Sequence, residues 1–560
     1  MPADAGAAPC VTVLTPFYNT GPIFHETARS VLRQSLQQWE WLIVDDGSTD
    51  PEALEILDHY AHKDPRIRVV RHPENKGLSA ALNTGFRESR TPYTALLDSD
   101  DLLEPTALEK WLWFLGTHPE YAFVQGYSVA FGAIELIWQK GFVSGEDNLE
   151  TNRIAGRCLV RNSVHEEVGG FNESNRTGLQ DWEFWIHCAH AGYWGYTIPE
   201  FCDWYRRRAH HADRWEGFDD KKLAEIRAGL RKKYASLWMG SFPRIEAKQS
   251  ETYELGPDAL PFENLLQKSK RRLLMLLPRM TRGGGGMFYL DPLDRLIAAG
   301  WEVTIATTLP GTENWMPSFA RRTPDVFVLS NFLRSLDYPR FLRYLIRSRR
   351  IETVLISNSL FGYQILPFLR SEFPHVTFVD CCHVEKENGR NGGYRNHAVE
   401  HQPLLDLNIV SSQRMKQWMV DRGADPNRVC VCTDDEAADD SRPMNAEGRL
   451  DELLDRAAEF HRTQPRPEVS RLLSRLSASY TVQYERLNRR RERFEAFTDD
   501  RDKLDKKNKE LTDERDKWYR RVLARGDELQ ALRSNILVRL CSKLGLVSAS
   551  KASGHRGEKP

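Results

Sequence analysis

Three things are scarce in this chain: cysteine, an excess of charge of either sign, and long apolar runs. Nine cysteines are spread over 560 residues. That is too thin for a disulfide scaffold and points to a reducing compartment with buried thiols. Lys plus Arg number 78 against 79 Asp plus Glu, a net charge of -1. No global basic field exists to hold nucleic acid, so no nucleic-acid partner is expected. Mean hydropathy is -0.55, and no apolar run approaches the ~18–20 residues a membrane helix needs. The longest, such as Leu273–Leu277, are strand-sized. Residues Met1–Pro9 are Ala/Pro-rich but lack a basic segment followed by an apolar core, so no signal peptide is expected. What is present is ordinary for folded protein, 41% hydrophobic and 28% charged, which excludes wholesale disorder. The length allows about three or four domains.

From Val11 to about Arg208 short apolar runs alternate with helical patterns. Val11–Leu14, Trp41–Val44, Ile67–Val70 and Tyr93–Leu97 read as strands. Ile23–Arg33, Glu52–Ala61 and Leu78–Arg87 read as the helices between them. Helices between strands at this spacing imply right-handed crossovers and a largely parallel sheet. Residues Arg208–Leu265 are polar and helix-rich, a connector. A second alternating pattern runs from Leu273–Leu277 through the glycine run Gly283–Gly286 and a helix at Leu290–Ala299. Its further strands are expected at Glu302–Ala306, Val326–Leu329, Thr353–Ile356, Thr377–Val379 and Leu407–Val410. From about Leu450 Arg, Lys, Glu and Asp dominate with scattered Leu. A heptad seam passes through Phe497, Leu504, Leu511 and Trp518, while the alternate core position carries Arg501, Asn508 and Arg515. Self-association and a solvated single helix both fit that pattern.

The chemistry gathers at two strand ends. Trp41-Leu-Ile-Val-Asp-Asp46 leaves Asp45 and Asp46 after an apolar strand, and Tyr93-Thr-Ala-Leu-Leu-Asp-Ser-Asp-Asp101 does the same for Asp98, Asp100 and Asp101. Ligands of open α/β sheets bind at the carboxyl ends of strands, so the two clusters are expected to face one crevice. Clustered carboxylates repel one another unless a cation sits among them. Mg²⁺ or Mn²⁺ fits, with a nucleotide diphosphate completing its oxygen shell. Either cluster alone would read as turn and cap chemistry; two in order reverse that.

Five ordered motifs then resemble the inverting family 2 glycosyltransferases of the GT-A fold. They are Val11-Thr-Val-Leu-Thr-Pro-Phe-Tyr-Asn19 with Val44-Asp-Asp-Gly-Ser-Thr-Asp50, Asn75-Lys-Gly-Leu-Ser-Ala-Ala-Leu-Asn-Thr-Gly85, Leu97-Asp-Ser-Asp-Asp101, Gly169-Gly-Phe-Asn172, and Leu179-Gln-Asp-Trp-Glu-Phe-Trp185. The resemblance covers roughly the first 210 residues. It implies that Asp45 holds the nucleotide base, that Asp98 and Asp100 serve the ribose and the diphosphate-bound metal, and that Asp181 is the general base. It also implies donor-side positions at Pro16, Tyr18, Asn19, Asp46, Asn75 and Gly77, and a metal ligand at His210. Gln180 stands where the family usually has Glu. The basic run Arg206–Arg208 is placed to approach the diphosphate, and an exposed charge run is the alternative. Trp182 and Trp185 flank Asp181; they either stack on acceptor sugars or, as such large side chains often do, fill the core.

Lys270–Thr433 resembles the N-terminal Rossmann-like half of family 4 GT-B glycosyltransferases. The matching segments are Leu273-Leu-Met-Leu-Leu-Pro, the Gly283–Gly286 loop, His383-Val-Glu385, Leu407–Ser412 and Arg422-Gly-Ala-Asp-Pro-Asn-Arg-Val429. Val429-Cys-Val-Cys-Thr433 runs straight into an acidic stretch where such enzymes enter their donor-binding half, and Leu450–Leu487 resembles their closing helices. The donor half is missing. Cys430 and Cys432 are expected as buried strand thiols rather than zinc ligands. The fold class expected is therefore α/β. Its parts are a GT-A domain over 9–208, a helical connector over 209–268 and a second Rossmann-like unit, half a GT-B, over 269–433. A linker follows over 434–449, then a helical and coiled-coil stalk over 450–547 and a disordered tail over 548–560.

The function these readings imply is metal-dependent inverting transfer of a sugar from a nucleotide-diphosphate donor to a glycan or lipid-linked glycan of a bacterial surface polysaccharide. The location expected is cytoplasmic. The basic apolar segment Ala531–Leu546 suggests peripheral contact with the inner face of the plasma membrane, or packing on a neighbouring chain. A homo-oligomer through the C-terminal helices is also expected. The alternative is a non-catalytic scaffold that recruits other glycan enzymes, but such a protein should have lost carboxylates that are all here. A nucleotidyltransferase would want a Gly- and Lys-rich loop after the first strand, and Thr15-Pro-Phe-Tyr-Asn19 is not one.

Overall fold

The computed structural model describes residues 8–138, 145–154, 156–175, 178–208, 220–246, 264–267, 269–280, 289–309, 316–382, 394–432 and 448–463. His210, the Gly283–Gly286 loop, His383, the 434–447 stretch, the heptad seam, the basic apolar segment and the 548–560 tail lie outside them.

The first sheet contains β1 Val11–Phe17, β2 Trp39–Asp45, β3 Ile67–Arg71, β4 Tyr93–Leu96, β5 Leu102–Leu103, β6 Phe123–Gly132, β7 Leu136–Trp138, β8 Cys158–Arg161 and β9 Tyr196–Arg207. Their order is β3-β2-β1-β4-β8-β6-β9-β5, with β7 beside β6. β1 and β2 are buried along their whole length, as near-continuous apolar runs in a covered parallel sheet should be. The expected parallel sheet is found in β3-β2-β1-β4. Beyond β4 the sheet is mixed: β8 runs antiparallel to both β4 and β6, while β6 and β9 pair in parallel. That half was hidden because its strands carry polar residues that the fold satisfies internally. Gln125 donates to Thr197 Oγ1 at 3.1 Å, and Asp203 takes an arginine.

Helix Pro51–Lys63 starts on an Asp50 cap with proline at its first turn. Helix Leu78–Glu88 lies close on β1 at Gly85, where a Cβ would come within 2.0 Å of a Leu14 methyl. Helix Gln180–His190 contributes Trp182, Phe184, Trp185 and Ile186 to the same core. Both tryptophans flanking Asp181 are thus core side chains, and the Trp182 indole N–H donates to Asn148 O at 2.6 Å.

The second sheet contains β10 Arg271–Leu277, β11 Trp301–Thr307, β12 Val326–Val328, β13 Thr353–Ser357, β14 Thr377–Cys382, β15 Leu407–Val410 and β16 Val429–Val431. Its order is β12-β11-β10-β13-β14-β15-β16, and every pair is parallel. Cys381, Cys382, Cys430 and Cys432 are buried here, and no disulfide is formed among the eight described cysteines. Helix Leu450–Thr463 buries Leu450, Leu453, Leu454 and Ala457 in this core. Its His461 and the Arg370 guanidinium both hold the buried Asp406, each at 3.1 Å.

The two sheets belong to one compact unit, Met1–Leu473. Helix Ala107–Thr117 of the first is buried by the second. Arg349 donates to both oxygens of Glu109, at 2.6 and 2.7 Å, and also binds Asp325. Trp113 packs edge-on against Phe341 at 4.9 Å. No described helix is long and apolar enough to cross a membrane.

Candidate active site

β1 lies between β2 and β4, so the carboxyl ends of all three form one edge. In register, Asp45 stands opposite Phe17 at the end of β1. Leu97 N donates to Leu14 O at 3.0 Å, which puts Asp98 just beyond that edge on the other side. The two acidic clusters therefore flank one strand end, as their sequence positions implied.

Their members are placed differently. Asp45 is buried; its Oδ1 accepts from Ser48 N at 3.0 Å and its Oδ2 lies 3.9 Å from Arg71. Asp46 is turned into the protein, accepting from His72 Nδ1 at 2.7 Å and from the amides of Lys76 and Gly77 at 2.9 and 2.8 Å. It fastens the loop holding Asn75 and Gly77 to the end of β2. Gly47 between them has φ +74°, and a Cβ there would sit 2.5 Å from the Glu74 carbonyl carbon, so only glycine fits. Asn19, itself at φ 49°, accepts from the Thr49 and Asp50 amides at 2.9 and 3.0 Å. Pro16 is buried in β1, while Tyr18 and Asn75 are exposed on the loops above it.

The Asp-Ser-Asp-Asp turn is held from two sides. Ser99 is fastened to Thr20 of the loop after β1 at 2.7 Å and to Thr27 of the helix Phe24–Leu32 at 3.1 Å. Asp101 is fully buried against Arg157, at 2.5 Å, and takes the Arg206 amide at 2.8 Å. Arg157 also donates to Asp203 Oδ1 at 2.6 Å. Burial pushes the Asp101 carboxyl up, Arg157 draws it back, and Asp98 and Asp100 add to the rise. Asp98 is left 43% exposed, 3.9 Å from Arg157. Asp100 Oδ2 accepts from Arg208 Nε and NH2 at 3.0 and 2.5 Å, and its carbonyl takes Arg206 Nε at 2.8 Å. The basic run is thus folded onto the acidic turn.

Asp181 opens helix Gln180–His190 after Leu179, whose φ is 56°. Asn152 donates to Asp181 Oδ2 at 2.7 Å. Four residues on, Gly156 faces Asp98, a Cβ there lying 3.6 Å from its Oδ2. One short segment therefore touches both Asp181 and the Asp98 turn. Asn152, Arg157 and Asp203 were not among the residues expected from sequence. They fall in or beyond a stretch without periodicity, and an arginine there carries no signal until its buried partners are seen.

Carboxylates thus stand on both sides of a parallel strand end, and Asn152 and Gly156 relate Asp181 to the same region; two relatives of this chain are glycosyltransferases by name. The chain belongs to glycosyl transferase family 2, whose family model matches residues 12–181. The putative teichuronic acid biosynthesis glycosyltransferase TuaG of Bacillus subtilis (strain 168) is 33% identical over 208 residues, 35% of this chain and 79% of that protein. The putative glycosyltransferase EpsE of the same organism is 29% identical, over 35% of this chain and 72% of the relative. An uncharacterized protein, y4gI, of Sinorhizobium fredii (strain NBRC 101917 / NGR234) is 34% identical over 32% of this chain. The match spans only 20% of y4gI's length.

Proposed function

We propose that the protein is a metal-dependent, inverting glycosyltransferase. It moves a sugar from a nucleotide-diphosphate donor to a glycan or lipid-linked glycan in bacterial cell-surface polysaccharide biosynthesis. The observation that carries this is the placement of Asp45 and Asp98 on either side of the end of β1, with Asn152 on Asp181 and Gly156 facing Asp98. The relative named for teichuronic acid biosynthesis supports a polysaccharide pathway. In this reading Asp45 takes the base and Asp98 the ribose, while Asp46 and Asn19 shape the loops that receive them. Pro16, Tyr18, Asn75 and Gly77 line the donor side.

The Asp98 and Asp100 oxygens, with His210, are the residues that would hold Mg²⁺ or Mn²⁺. An all-oxygen carboxylate pair suits a hard cation, and Asp98 keeps a solvent-accessible carboxylate on this turn. Such an ion supplies charge stabilisation to a departing diphosphate. The chain's own residues do the rest. Arg208 brings a second positive group to the same turn, and Asp181 accepts the proton of the acceptor hydroxyl as that oxygen attacks. Direct displacement inverts the anomeric centre.

The all-parallel second sheet fits half of a GT-B enzyme, and we assign it to assembly or acceptor holding rather than transfer. Oligomerisation and membrane contact belong to the segments after Thr463. Hydrolysis of a panel of nucleotide sugars with and without Mn²⁺ tests the proposal. One donor should be hydrolysed faster with the metal, and no turnover with any donor would overturn it.

A further inference from the structure

A second group of ligand-type side chains lies in the other sheet's flank, in His397-Ala-Val-Glu-His401. The histidines are four apart and Glu400 is three after the first, at the end of helix Tyr394–Glu400, so all three share one face. One donor atom from each lies within 4.8 Å of the others. The His401 Nδ1 meets the His397 carbonyl at 2.9 Å. A carbonyl only accepts, so Nδ1 carries the proton and Nε2 keeps its lone pair. This backbone hydrogen bond is how metal-binding histidines are commonly oriented. His397 Nδ1 stands 3.3 Å from Glu400 Oε2.

The cluster is backed by a rigid support. The buried Tyr363 ring lies 5.9 Å from the His397 ring and 5.7 Å from that of His401. Its hydroxyl donates to Asp380 Oδ1 at 2.5 Å. Asn408 donates to the other Asp380 oxygen at 3.0 Å and reaches Ala398 O at 3.4 Å, fixing the helix from below. Glu400 is exposed, so the front of the cluster is open to solvent.

We propose that His397, Glu400 and His401 bind a divalent transition ion of the zinc, cobalt and nickel class. Two imidazoles and one carboxylate suit a borderline ion, with water completing a tetrahedron. The Asp98 and Asp100 site, dominated by carboxylate oxygens, suits magnesium or manganese instead. The site stands apart from sugar transfer and does not depend on that assignment.

The test is titration of the full-length, chelator-stripped chain with Co²⁺, read by its visible ligand-field absorption. The expected result is an intense tetrahedral-type band from one ion per chain, displaced by Zn²⁺ and not by Mg²⁺. His397→Ala and Glu400→Gln should each weaken cobalt binding at least about tenfold, as loss of a ligand requires. Asp98→Asn with Asp100→Asn should leave the band unchanged. His401→Gln gives a further check, and His397→Ala decides the matter if the His401 variant fails to fold. A missing band, or an unchanged isotherm in His397→Ala, overturns the proposal.

Discussion

Asn152 donates its side-chain amide to Asp181 Oδ2 at 2.7 Å, and so holds the proposed base from outside its own helix. A donor on a carboxylate favours the charged form. Asp181→Asn should lower transfer by ~10²–10⁴, the usual cost of losing a general base, with donor affinity by calorimetry nearly unchanged. Asn152→Ala should act more mildly, lowering transfer because the carboxylate loses the donor that holds it in place. Wild-type turnover in Asp181→Asn would remove this residue from the mechanism.

Much of this site was legible because its parts are local. An apolar strand followed by Asp-Asp or Asp-x-Asp fixes where the carboxylates emerge, and β1 to β4 appear close to their expected places. What was not legible is long-range pairing. Asn83 accepts from the Phe171 amide at 2.8 Å and donates to the Phe171 carbonyl at 2.9 Å, clamping the Gly-Gly-Phe-Asn turn onto helix Leu78–Glu88. The two motifs were both visible in sequence, but their contact spans 88 residues and nothing in either announces it. The Arg157 pairings with Asp101 and Asp203 were hidden for the same reason. Buried charges look like surface residues until their partners are known.

Arg208 and the proposed cation share one carboxylate, that of Asp100. Asp100→Ala should therefore abolish the Mn²⁺ dependence of nucleotide binding. Arg208→Gln should separate two effects: Mn²⁺ alone should bind more tightly once a competing positive group is gone, and the nucleotide diphosphate should bind more weakly. Calorimetry of metal and nucleotide in turn reads both signs. An unchanged Mn²⁺ dependence in Asp100→Ala would place the metal elsewhere.

Two histidines make stability fall in acid. His165 stacks on Phe86 at 3.8 Å and donates Nε2–H to Asn83 at 3.0 Å. Burial, then Arg87, pushes its pKa down to about 4. His118 is pushed down to about 4 by burial and then by Arg334. The unfolded chain binds a proton at each near the ordinary 6.5, before the native state does. Stability is therefore full above about 6.5 and is lost as pH falls toward about 4, on the order of 2–3 kcal/mol for each. Denaturation of wild type and His165→Gln at pH 7 and pH 4.5 tests this. The gap between them should narrow or reverse in acid, and a constant gap would show that His165 does not titrate in this range.

The last prediction concerns what joins the two sheets. Glu109 is 0% exposed and Arg349 2% exposed. Ser35 at 2.5 Å and the Tyr344 hydroxyl also donate to Glu109, and Asp325 holds the rest of the guanidinium. Removing one member of a buried pair leaves an uncompensated charge, so Arg349→Ala should destabilise the protein by ~3–5 kcal/mol. Glu109→Leu with Arg349→Met removes both charges and should recover a good part of that loss. Recovery will be incomplete, because Asp325 then loses its guanidinium and is left with the Thr304 hydroxyl and the more distant charge of Arg272. For the same reason a chain ended at Lys268 should be less stable than the whole, although every proposed catalytic carboxylate precedes Arg208. It exposes Trp113 and strips Glu109 of its arginine. Chemical denaturation of the three variants, with donor hydrolysis measured on the folded fraction, reads the two effects apart. Stability of Arg349→Ala within about 1 kcal/mol of wild type would mean that the Glu109–Arg349 pair does not hold the sheets together.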